Sequence, residues 1–235
     1  MARKPSGETP QLPTPIKSNR EKIIEGFMAL LAERPFEQVG FGDIAARSGV
    51  SLTQCRAEFS APIWVLAAHF KEVDQKVLDG IDADMAEEPH RERLFDLLMR
   101  RIELLAPQRA AIRSLLRSAR NDPALACALN GFAVRSQQWM LTAAGINAAG
   151  PRGLIRAQGT AMLYARVLRV WLDDQDPGLA RTLAALDREL ARGQRWSGFL
   201  DGLCRFVPTS CLPGRRSESR RRYGGDAMGD EPIPA

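Results

Sequence analysis

Past Ser18 the apolar positions Ile23, Ile24, Phe27, Leu30 and Leu31 recur at intervals of three and four, which puts them on one face of an α-helix. Ser18 or Asn19 is placed to cap that helix, and Pro35 to end it. A short second helix is predicted from Gly40 to Arg47, with Phe41, Ile44 and Ala45 on its inner side, and Ser51 opens a third. Pro62 stands at a first-turn position, and the segment behind it reads as one long helix through Met85, up to Glu88-Pro89. Helical spacing continues over 91–105, 107–120, 123–145, 151–173, 177–192 and 194–207, and Ala143–Gly153 has the composition of a connection. No strand-like alternation of useful length and no fixed-period repeat is present. The pattern predicts an all-α chain: a three-helix head over 19–65, a larger helical body over 66–208, and flanking arms at 1–18 and 209–235.

Composition adds limits more than direction. Of 235 residues 45% are hydrophobic, enough for a real core, and the net charge of +5 permits an anionic partner without requiring one. No run reaches the roughly 20 apolar residues that a membrane span needs. The basic N-terminus has no apolar stretch behind it, so it is not a secretory signal. Cys55, Cys127, Cys204 and Cys211 lack metal-ligand spacing and read as thiols in a reducing compartment, so a soluble cytoplasmic protein is expected. Both arms are rich in proline, glycine or arginine and read as unpacked. Arg3, Lys4 and Lys17 lie in the first and Arg215, Arg216, Arg220, Arg221 and Arg222 in the second.

Residues 41–59, FGDIAARSGVSLTQCRAEF, carry the most specific signal. Gly49 can take the left-handed conformation that ends one helix, Val50 can fill the angle, and Ser51 can cap the next. This is the punctuation of a helix-turn-helix, whose second helix enters the major groove of double-stranded DNA. The groove-facing set would then be Ser51, Leu52, Thr53, Gln54 and Arg56, with Gln54 suited to adenine and Arg56 to guanine or phosphate. Arg20, Lys22 and Arg47 are placed to support it.

The wider stretch, from REKIIEGFMALLAERPFEQV through DIAARSGVS to Phe59, resembles the N-terminal domain of TetR-family transcription regulators over roughly residues 19–70. The resemblance implies a homodimeric repressor that leaves its operator when a small apolar ligand binds the helical body. The chain departs from the family pattern at Gly40 and Gly42, where a threonine and a basic residue are usual. It departs also at Arg56 and Glu58 in place of aromatic residues, and at Pro62 in place of a lysine. Each lost phosphate contact removes part of the electrostatic affinity, so DNA binding is expected to be weak or to use unusual contacts.

Two apolar stripes near the C-terminus, Leu163, Val167, Val170 and Trp171, then Leu179, Leu183, Leu186 and Leu190, fit either a dimer interface or the protomer's own core. Trp171, Asp174, Asp176-Pro177, Thr182 and LDREL also resemble the end of the ubiquinone-biosynthesis accessory proteins. That resemblance implies a TetR-like fold which binds isoprenoid lipid and no DNA. Enzymatic chemistry finds no footing. His69 and His90 are far apart, and Asp173, Asp174 and Asp176 stand where acidic residues cap the following helix rather than hold a metal. Arg91, Arg93, Arg100 and Arg101 read as a solvated face, and no phosphate loop, nucleophile elbow or cofactor motif is present.

Overall fold

The computed structural model describes residues 17–81, 85 and 87–205, with side chains to residue 193. Residues 1–16 of the N-terminal arm and the arginine-rich segment after residue 205 lie outside the described residues. The chain divides into two compact units, Met1–Ser197 and Gly198–Ala235. The described part is all helix and turn. It comprises α1 (Asn19–Glu33), α2 (Phe41–Ser48), α3 (Leu52–Glu58), α4 (Pro62–Leu78), α5 (His90–Leu105), α6 (Arg109–Asn121), α7 (Pro123–Ala143), α8 (Gly150–Asp173) and α9 (Ala180–Arg205). Short 3₁₀ turns at Phe36–Gln38 and Ala106–Gln108 join α1 to α2 and α5 to α6.

Local chemistry accounts for most boundaries. Ser18 caps α1 through a capping box: its hydroxyl accepts from Glu21 N at 3.2 Å and the Glu21 carboxylate accepts from Ser18 N at 2.7 Å. Pro62 and Pro123 occupy first-turn positions of α4 and α7, where a missing N–H costs nothing. The predicted connection before α8 is real, with Gly145 and Gly150 at positive φ.

Two boundaries differ from expectation. α4 stops at Leu78 instead of running to Met85: Asp79 N still reaches the Gln75 carbonyl, but Gly80 N and Ile81 N bond only three residues back, to the Val77 and Leu78 carbonyls, and the Gly80 carbonyl accepts from the Arg100 side chain of α5. α9 is one helix where two were expected. Gly193 lies inside it at a cost of about 1 kcal/mol, too little to break a helix of this length.

The core runs through the whole first unit. Ile23, Phe27, Leu30 and Leu31 of α1 are fully buried, and α1 packs across α2 and α6. α4 packs on α1, α5 and α7, and α7 lies along α8. The stripe residues Leu163, Val167, Trp171, Leu186 and Leu190 are all buried within the protomer, so these positions are core. Leu183, 36% exposed, is the outlier of its stripe.

Candidate nucleic-acid interface

Residues 41–59 fold as the turn chemistry requires. Gly49 has φ +66°, a conformation in which a Cβ would be strained, and Val50 is buried in the angle that results. Ser51 caps α3: its hydroxyl accepts from Gln54 N at 3.2 Å, while Gln54 Oε1 accepts from Ser51 N and Ser51 Oγ at 3.1 Å each. Cys55 and Phe59 point inward and are buried; burial pushes the Cys55 thiol pKa up, and the thiol acts as a small apolar core group. α2 meets α1 closely at Gly26, where a Cβ would come within 3.2 Å of Ser48 Cβ.

Ser51, Leu52, Thr53, Gln54 and Arg56 are all exposed on the outer side of α3. Leu52, at 58% exposed, is an apolar side chain held in solvent, suited to a thymine methyl. Gln54 is partly committed, since its carbonyl serves the cap and leaves its amide NH₂ to donate. Arg56 and Lys22 have no ion-pair partner among the described residues. The other two basic candidates are engaged: Arg47 forms a two-pronged pair with Glu33 at 2.6 and 2.8 Å, and Arg20 lies 3.7 Å from Glu58. The Arg20 guanidinium also sits 4.7 Å from the centre of the Phe59 ring. The Arg47 hydrogen bonds hold the Glu33 carboxyl below its usual pKa.

Between residues 19 and 65 the five basic residues Arg20, Lys22, Arg34, Arg47 and Arg56 are matched against six acidic ones, Glu21, Glu25, Glu33, Glu37, Asp43 and Glu58. The chain's positive charge therefore does not come from residues 19–65. Exposed pairs of this kind are worth about 0–1 kcal/mol, so a phosphate can displace either carboxylate.

Solved structures share the arrangement. A TetR transcriptional regulator from Nitrosomonas europaea superposes with a TM-score of 0.60 at 24% identity, over 76% of this chain and 99% of that one. A TetR transcriptional regulator from Rhodococcus sp. RHA1 gives 0.54 at 18% identity, over 74% and 95%. The fold is the TetR fold. No family model matches the chain, and no curated protein does so significantly.

Within the TetR fold the body carries a cavity. Its volume is about 790 Å³, between residues of α4 to α8 that include Phe70, Leu105, Ile112, Leu116, Ala161 and Leu168. Arg101 lines it and is only 5% exposed, which corrects its reading as part of a solvated face. Its Nε donates to Asp74 at 2.9 Å, and Ser136 donates to the same carboxylate oxygen at 2.7 Å. No sequence signal short of pairing α4 with α5 and α7 could have assembled this cluster. Near α9 the expected caps form: Asp174 accepts from the N–H and hydroxyl of Thr182 at 2.9 and 2.7 Å, and Asp176 accepts from Ala180 N at 3.0 Å. In the LDREL stretch at the start of α9, Asp187 pairs with Arg91 of α5 and Glu189 with Arg166 of α8. Among the described residues no helix is long and apolar enough to cross a membrane.

Proposed function

We propose that this chain is a TetR-type transcription regulator and not an enzyme. Its head, residues 19–65, binds operator DNA in a homodimer, and its body, residues 66–208, releases the DNA when a small ligand fills the cavity. The observation that carries the reading is the αL turn at Gly49, which fixes α3 with Cys55 and Phe59 inward and Leu52, Thr53, Gln54 and Arg56 outward. Two such helices about one DNA turn apart in a homodimer read a palindromic site. The near-neutral head makes the intrinsic affinity modest and gives base contacts a larger share of it.

The coupling route is α6. Its Ser114 donates to the Arg34 carbonyl at 3.0 Å, and its Ser118 hydroxyl accepts from Phe36 N at 3.1 Å, so one face of α6 grips the joint between α1 and α2. The other face of the same helix lines the cavity through Ile112, Leu115, Leu116 and Ala119. A ligand that moves α6 moves the head, and a few ångströms at α3 is enough to lose the spacing of the two half-sites.

The test is selection of duplexes from a random library on the immobilised protein, followed by genomic footprinting of the tagged chain. Enrichment of a palindrome with half-sites one turn apart is expected; a library that stays random through successive rounds sinks the reading. A second reading, a TetR-fold lipid-binding accessory protein without DNA contact, is favoured by the excess of acidic over basic residues in the head, and the random-library outcome would select it.

A further inference from the structure

The cavity's mouth concentrates the positive charge that the head lacks. Arg113, Arg117 and Arg120 of α6 fall at i, i+4 and i+7, and Arg169 of α8 stands with them among the lining residues. The acidic residue in the lining is Asp173, and it is already paired with Arg113 at 2.9 Å. Arg117, Arg120 and Arg169 are exposed and have no ion-pair partner among the described residues. Such a collar attracts an anionic group, while the apolar wall beside it suits a hydrocarbon chain attached to that group.

Deeper in the lining, at 5% exposure or less, are Arg101, Tyr164 and Gln137. Arg101 is charge-compensated by Asp74, so this inner cluster does not call for a second anion. It does leave hydrogen-bonding capacity unused: Gln137 Oε1 is buried without a partner, and the Tyr164 hydroxyl, which Arg101 approaches as a donor, has no acceptor for its own hydrogen. Burial raises the Tyr164 pKa against the pull of Arg101, so its O–H stays protonated and donates. A hydroxyl on a ligand can accept from Tyr164 and donate to Gln137. Apart from Asn130, the rest of the lining is Leu, Ile, Ala, Met and Phe.

We propose that the cavity takes a single-chain amphipathic anion, with its carboxylate or phosphate on Arg117, Arg120 and Arg169, its apolar chain between α6, α7 and α8, and a hydroxyl at the inner end on Tyr164 and Gln137. The assignment rests on the reading of the cavity as the ligand site of a regulator, and it names the class of that ligand. A volume of about 790 Å³ lies within the usual range of small-molecule sites.

The test is calorimetric titration of the full chain, without DNA, below the micelle-forming concentration of each probe. The probes are octanoate, decanoate and dodecanoate, their ω-hydroxy counterparts, dodecanol, and dodecyltrimethylammonium. Alkanoates should bind at least about tenfold more tightly than dodecanol, the cation should not bind, and one ω-hydroxy length should gain about tenfold over its parent. The double variant R117Q/R120Q, altered only at exposed positions, should lose the preference for alkanoate over dodecanol. The variant Y164F/Q137L should keep alkanoate binding and lose the ω-hydroxy gain, with its thermal transition checked in parallel. Equal binding of dodecanoate and dodecanol by the native chain would overturn the proposal, as would an R117Q/R120Q chain that keeps the preference. Binding of anionic phospholipid vesicles with no binding of the monomeric probes would overturn it too. If alkanoates bind as expected but never release selected DNA, the regulator reading fails while the ligand class stands.

Discussion

Glu58 sits 3.7 Å from Arg20 at the end of α3, so its carboxylate screens a cation, and under the proposed docking of α3 it would also lie near the DNA backbone. Glu58→Gln keeps the side chain's size, frees Arg20, and removes the repulsion. Affinity for DNA is expected to rise, most at low salt where screening is weakest, with the melting temperature nearly unchanged because exposed pairs are worth about 0–1 kcal/mol. Binding isotherms across a salt series, read beside thermal unfolding, decide this. Arg56→Ala, by contrast, should weaken binding to specific and random duplexes alike and flatten the salt dependence by about one unit. His69 gives a pH prediction of its own. It is 6% exposed, and burial first, then Arg101 and Lys76, lower its pKa to about 4. A folded pKa below the unfolded 6.5 means the unfolded chain takes up a proton first as pH falls. The stability linked to the neutral imidazole is therefore complete above pH 6.5 and declines on the way down to about 4, by on the order of 3 kcal/mol in all. His69→Met should remove that part of the acid sensitivity, seen as a flatter difference in denaturant midpoint between pH 7 and pH 4.5.

Among the elements, α3 is held by its turn more than by its own length, since seven residues are too few to form a stable helix in isolation. Gly49→Ala forces a Cβ into φ +66° and should cost about 1–2 kcal/mol; Ser51→Ala, which removes the cap, should cost about 0.5–2 kcal/mol. Both variants should lose DNA affinity beyond what global unfolding explains, because local disorder of α3 removes the groove contacts first. Hydrogen exchange at the α3 amides, compared with those of α5, would show whether the loss is local. The same dependence on neighbours explains where the sequence misled. The period of α4 continues past Leu78, yet at Gly80 the backbone tightens into a turn and the Gly80 carbonyl is met by Arg100 of α5. Arg101 lies one residue further on and reads as another surface arginine, but the α5 face carrying Leu98, Ile102 and Leu105 turns it toward Asp74.

For the molecule as a whole, the head and body named from the sequence share their packing. α1 buries Ile23, Ile24, Phe27, Met28, Leu30 and Leu31 against α2 and α6, while Ser114 and Ser118 satisfy backbone groups of the joint between α1 and α2. A fragment ending at residue 65 would leave much of that surface in water. It should therefore show little helical circular dichroism, whereas the full chain unfolds in one transition that includes the head. A fragment with a cooperative transition of its own would contradict this account of the coupling. The sequence by itself determined the all-α class, the turn at Gly49–Ser51, the cap at Ser51, the start of α1 at Ser18 or Asn19, an acidic cap drawn from Asp173, Asp174 and Asp176, and the outward set on α3, because each depends on residues within a few positions of one another. It also carried the stripes of α8 and α9, but could not say that most of their residues face the protomer's own core. Tertiary structure alone decided which cations of the head are neutralised, that Asp74, Arg101 and Ser136 meet, and that arginines of α6 and α8 ring one cavity. These contacts join residues 14 to 62 positions apart or more, and hydrophobic burial, which brings them together, fixes how much area is covered and leaves the choice of neighbours to the packing of whole helices.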